Sequence, residues 1–126
     1  MNYKLKKISG DASFREFYRV EKNMKSSIIV FANKDKYKNL FVYSAVNQIL
    51  NKNKIIAPKL INNFIKDNII EISDLGKISF FEFIKKKKDK TKHYKKLIDL
   101  IIKIQKIKFK TNYKFDKKNI KFKKYK

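Results

Sequence analysis

The chain has 126 residues, and 34 basic against 11 acidic side chains leave a formal net charge of +23. Cysteine is absent and histidine occurs once, at His93, which excludes disulfide frameworks, thiolate metal sites, cysteine nucleophiles and two-histidine zinc motifs. The length suits one modest core, no run approaches the roughly 18 apolar residues of a membrane span, and the charged N-terminus lacks the apolar run of a secretory signal, so a cytoplasmic location is expected.

Tyr3 to Ile8 alternates apolar residues with lysine and predicts a short strand. Ser9-Gly10-Asp11-Ala12-Ser13 is a small polar turn, and Phe14 to Val20 reads as a second strand. Glu21 to Lys25 is a hairpin turn into Ser26–Ala32, a β-branched apolar run. Leu40 to Leu50 has helical periodicity, with Leu40, Tyr43, Ala45, Val46, Ile49 and Leu50 on one side. Ile55-Ile56-Ala57-Pro58 is an extended connector, since a residue before proline avoids the helical region.

Lys59–Ile65 and Ile69–Ile72 predict two more strands around a turn at Lys66-Asp67-Asn68. A helix over Ile78–Lys87 follows, with Ser79 as N-cap and Glu82 completing a capping box. A second spans Tyr94 to Phe109 with a broad apolar stripe. Beyond Lys110 the pattern fades into a basic tail, with seven lysines in the last thirteen residues. The expected fold class is α+β: a five-stranded antiparallel sheet with one packed helix, followed by two helices.

Of the basic residues only Arg15 and Arg19 are arginine; 32 are lysine, and Ile (19) and Asn (12) are also abundant. A joint excess of Lys, Ile and Asn is what AT-rich coding produces, and on that reading most lysines are solvated surface. Nucleic acid ranks behind, because the arginines that usually grip phosphates and base edges are nearly absent. Its module would use lysine with the interleaved aromatics Tyr113, Phe115, Phe122 and Tyr125. Anionic membrane surface is the remaining polyanion.

Two stretches hold candidate chemistry. Small residues at Gly10-Asp11-Ala12-Ser13 let backbone amides approach an anion, with Arg15 close behind. Glu71-Ile72-Ser73-Asp74-Leu75-Gly76 ends a strand, where unpaired backbone groups could bond a heterocycle. His93 has no Ser or Asp pattern around it and reads as surface.

Taken in order, Ile8 to Val20, Ile56-Ala57-Pro58 and Ile70 to Gly76 resemble the N-terminal lobe of the aminoglycoside-phosphotransferase-like kinases. The nearest branch is the bacterial cell-wall amino-sugar kinases, which act on N-acetylmuramate or N-acetylglucosamine. The resemblance implies a protein-kinase-like lobe and hinge over 1–76, helices beginning a second lobe over 77–110 and a basic tail over 111–126. It implies ATP as the nucleotide. Gly10, Asp11, Ala12, Ser13, Phe14 and Arg15 would cover its phosphates, Ile29 and Phe31 would wall the adenine, and Glu71, Ile72 and Ser73 would offer hinge backbone.

The sequence departs from that family at several points. Ser26–Ala32 holds no basic residue, Gln48 stands where the family often has Glu, and Ser73 stands where an acid is usual. No His-x-Asp catalytic loop or metal-binding Asp is found, so the resemblance implies a nucleotide-binding lobe whose catalytic lobe, with its Mg²⁺, is supplied elsewhere. A degenerate lobe retained as a protein-interaction element is the further alternative.

Overall fold

The computed structural model describes residues 3–8, 14–33, 37–108, 110, 112–115 and 117–121. The predicted turn over residues 9–13, and with it Gly10, Asp11, Ala12 and Ser13, lies outside them. The chain divides into two compact units, Met1–Leu75 and Gly76–Lys126, where its length suggested a single core.

The first unit is the expected five-stranded antiparallel sheet with a helix. Its elements are β1 (Lys4–Ile8), β2 (Arg15–Lys22), β3 (Lys25–Ala32), α1 (Tyr37–Lys52), β4 (Leu60–Phe64) and β5 (Ile69–Ser73). The strand order is β1-β2-β3-β5-β4. β2 and β3 pair from Arg15 opposite Ala32 to Lys22 opposite Lys25, so both strands run further than the predicted turn allowed. The loop is only Asn23-Met24, both at positive φ (47° and 63°), the backbone sign that matches strand twist in a two-residue hairpin.

Side chains alternate across the sheet, and this puts Ile28, Val30 and Ala32 of β3 on one face with Ile70 and Ile72 of β5. Leu40 of α1 closes that core, and Val30, Leu40 and Ile70 are fully buried. α1 is less cleanly amphipathic than its apolar spacing suggests, for it also buries Ser44 and Asn47. It starts three residues before the predicted Leu40 and ends in a Schellman motif: Lys54 lies at φ 59° and the Ile55 N–H donates to the Leu50 C=O at 3.0 Å. A side chain in the left-handed region is strained, so Lys54→Gly should stabilise the first unit by about 0.5–1 kcal/mol. An unchanged or lower urea midpoint would show that the strain is not there.

In the second unit α2 (Phe80–Lys85) carries the predicted capping box. The Ser79 hydroxyl accepts from the Glu82 N–H at 3.2 Å, and Glu82 Oε2 accepts from the Ser79 N–H at 3.1 Å. α3 (Thr91–Gln105) starts three residues before the predicted Tyr94 and ends before Phe109. The basic tail departs from the expectation of no regular element, because β6 (Asn112–Phe115) and β7 (Lys118–Lys121) form an antiparallel hairpin. The signal was short: Tyr113 and Phe115 alternate with polar residues over only four positions, and Lys117 supplies the positive φ that a Gly or Asn usually announces. Phe115 is buried and Tyr113 half-buried, so neither is the open stacking platform of a nucleic-acid module. Phe122 and Tyr125 lie outside the described residues.

Candidate functional site

Strand β2 sorts its side chains by parity. Arg15, Phe17 and Arg19 pair with Ala32, Val30 and Ile28, and therefore share the face that α1 packs on. The two arginines of the chain thus lie on one face of one strand. Arg15 donates from Nη1 to Asn39 Oδ1 at 3.2 Å, and its guanidinium carbon sits 4.8 Å from the centre of the Tyr43 ring. Both contacts are with α1. They hold a planar cation in place by a hydrogen bond and a cation–π contact, which a lysine could not reproduce together.

Arg19 makes a two-point pair with Asp74, Nε to Oδ2 at 2.6 Å and Nη2 to Oδ1 at 3.1 Å. The two side chains are 14% and 4% exposed, so this is a part-buried ion pair. The hydrogen bond to Asp74 raises the Arg19 pKa above its ordinary value, desolvation works against it, and the charges of Asp74 and Glu21 add to the rise. Asp74 follows Ile70 and Ile72 at the spacing of two that keeps it on the same face. Arg19 reaches it across Ile28 of the intervening strand.

The other face carries different chemistry. Glu16 accepts from the Tyr18 hydroxyl at 2.5 Å and from Lys7 Nζ at 3.0 Å. These hydrogen bonds, with the Lys7 charge, hold the Glu16 carboxyl below its usual value. Tyr18 is raised by donating to Glu16, and Lys7 is raised by its hydrogen bond to the same carboxylate. Glu71 accepts from the Ser27 hydroxyl at 2.5 Å and from Asn62 Nδ2 at 2.6 Å. Ile29 and Phe31 are half-buried here, opposite Tyr18 and Glu16, on the face away from α1, so they do not share a face with Arg15 and do not wall a site beside it.

Glu71, Ile72 and Ser73 lie inside β5, flanked by β3 and β4. Ile72 is in the core. The Ser73 N–H donates to the Lys59 C=O and its hydroxyl accepts from the Lys59 N–H, both at 2.9 Å. Sheet pairing thus takes up this stretch, and the chain leaves the sheet only at Asp74. Phe14, at the start of β2, is exposed. The Ala57 connector is stitched to the helix end, where Asn51 Nδ2 donates to the Asn47 and Ala57 carbonyls at 2.9 and 3.0 Å. An open groove of about 330 Å³ runs past Asn51, Ile55, Ala57, Lys59, Ser73 and Leu75.

Segments far apart in sequence therefore converge. Arg19 ties β2 to Asp74, just past β5, and Ala57 shares a groove with Ser73. The reading of the sequence singled out Arg15 but not Arg19 as a site residue, nor Asn39 and Tyr43. The usable signal was compositional: two arginines four residues apart in a chain that otherwise uses lysine. His93 is half-buried, edge-on to Phe83 with ring centres 5.0 Å apart. Among the described residues no three His, Cys, Asp or Glu side chains gather closely enough to hold a metal ion.

No family model, curated protein or solved structure matches the chain.

Proposed function

We propose that the first unit is a nucleotide-binding lobe that holds ATP on the α1 side of its sheet, next to β2, within an aminoglycoside-phosphotransferase-like arrangement. The observation that carries this reading is the Arg19–Asp74 pair. It joins β2 to Asp74, and so brings together described parts of the two stretches on which the resemblance chiefly rests. The five-stranded sheet with a helix between β3 and β4 supports it as well.

In this arrangement Arg15 is the phosphate contact. Its hydrogen bond to Asn39 and its contact with the Tyr43 ring fix the guanidinium on the face that α1 covers, and a planar guanidinium is the group that matches phosphate geometry. Glu71, Ile72 and Ser73 are committed to the sheet, so the backbone offered to a base edge is that of Asp74 and Leu75. Phosphoryl transfer also needs a carboxylate site for Mg²⁺ and a residue orienting the acceptor hydroxyl. The described residues do not fit that metal site, and no transfer step is assigned to them.

The test is equilibrium binding of ATP to the full chain at physiological salt, with inorganic tripolyphosphate as the control anion. ATP should bind more tightly than tripolyphosphate, and Arg15→Ala should weaken ATP by about tenfold, the value of one charge-assisted contact. ATP and tripolyphosphate binding alike, and falling together steeply with salt, would leave only a basic surface and end the nucleotide reading.

A further inference from the structure

The charge is unevenly divided. Gly76–Lys126 holds 20 lysines and four acidic residues, whereas the 75 residues before it hold 14 basic and seven acidic ones. Coding bias spreads lysine along a whole chain and does not explain this concentration. The same unit exposes apolar surface. α3 is strongly amphipathic yet buries none of its residues. At 100° per residue its lysines Lys92, Lys95, Lys96 and Lys103 fall within an arc of about 100° that also holds the single acid Asp99, and its apolar residues lie in the remainder.

His93, Leu97 and Ile104 are the half-buried side of α3. Tyr94, Ile98 and Ile101 form a stripe beside them and are 50%, 55% and 53% exposed. The stripe continues onto α2, because the Tyr94 ring packs edge-on to Phe80 with centres 5.9 Å apart. Next to it, α2 runs out into the four lysines Lys85–Lys88.

From this we infer that the second unit is a peripheral binding surface for anionic phospholipid bilayers, with α3 lying in the plane of the interface. Tyr94, Ile98 and Ile101 enter the acyl boundary, and the flanking lysines reach the headgroup phosphates. An uncovered apolar stripe beside a lysine arc on a helix of low overall hydrophobicity is the pattern that partitions to interfaces. The bilayer satisfies both features together. A nucleic acid would neutralise the lysines and leave the isoleucines in water. A second copy of the chain would cover the isoleucines but set two strongly basic units against each other. Lysine also suits a lipid surface, since its long apolar stem lies along the buried side while the ammonium stays wet.

The chain contains no tryptophan, which makes a single reporter clean. Full-length Ile98→Trp, mixed at physiological salt with vesicles of phosphatidylcholine and phosphatidylserine, should show blue-shifted emission. Phosphatidylcholine vesicles alone should not shift it, and Lys103→Trp should stay solvent-like with both. Ile98→Asn/Ile101→Asn should weaken vesicle binding by at least about tenfold while leaving every lysine in place. Ile101→Trp makes the same reading if Ile98→Trp does not fold. Vesicles that co-sediment with protein but leave the emission unshifted would overturn the inference and show a purely electrostatic surface. A blue shift in the protein alone would overturn it in favour of self-association, and an equal shift with RNA in favour of nucleic acid.

Discussion

Asp74→Ala should lower the stability of the first unit by about 2–3 kcal/mol, because it removes the carboxylate that holds the part-buried Arg19 guanidinium at two points. Asp74 is 4% exposed at the side chain and accepts two hydrogen bonds, at 2.6 and 3.1 Å. Its removal does not return Arg19 to water unless β2 and the end of β5 rearrange. The pair itself need not be strongly stabilising, since burial costs both ions their hydration. Arg19→Met/Asp74→Leu should therefore recover most of the loss. Urea denaturation of the full chain, followed by circular dichroism, measures both. A single variant within about 0.5 kcal/mol of the parent would mean that the pair is solvated in practice. A double variant that preserved stability and lost ATP binding would place the pair in the nucleotide site; one that kept both would make it replaceable scaffolding.

Leu40→Ala should cost about 2–5 kcal/mol, the range for emptying a buried leucine site. Leu40 is fully buried and brings α1 into the core formed by Ile28, Val30, Ala32, Ile70 and Ile72. Ile8, Phe17 and Ile65 pack against the same core, but Leu40 is the α1 residue within it, so the cavity opens where the helix meets the sheet. The loss would also disturb Arg15, whose partners Asn39 and Tyr43 flank Leu40 on the same helix. ATP affinity should thus fall along with stability. Leu40→Met, which keeps the volume, should cost under about 1.5 kcal/mol, and Val42→Ala, at an exposed position, within about 0.5 kcal/mol. Equal effects for Leu40→Ala and Val42→Ala would show that α1 is not anchored where the core places it.

Parts of both units could be read from local pattern. Ser26–Ala32 is a dense β-branched run, Ser79 and Glu82 stand at capping-box spacing, and both features are settled by residues within a few positions of each other. The hairpin of β6 and β7 was missed for the same reason reversed. Its strands are four residues long, and the turn uses Lys117 where a glycine would have signalled it. The start of α3 was misjudged because Lys90 stands at its N-cap while the side chain that accepts from the Thr91 N–H is that of Asp89, one position earlier, and the end of α1 because Lys54 takes the positive φ that a glycine would have announced.

The candidate site divides along a similar line. Residue chemistry alone marked Gly10 to Arg15 and Glu71 to Gly76, while the alternation of Phe14, Tyr18 and Val20 against Arg15 and Arg19 grouped the arginines away from the apolar side, whereas the strand pairing puts them on the face that α1 covers. That Arg19 meets Asp74, 55 positions away, depends on β3 lying between β2 and β5 and on the register that sets Arg19, Ile28 and Ile72 in one row. A slip of one residue in either pairing would put Arg19 and Asp74 on opposite faces. Composition likewise determined that this chain is strongly basic, but not that its exposed apolar stripe runs beside its lysines. That follows from α3 packing only one side of its apolar arc, a balance of contacts that local sequence does not encode.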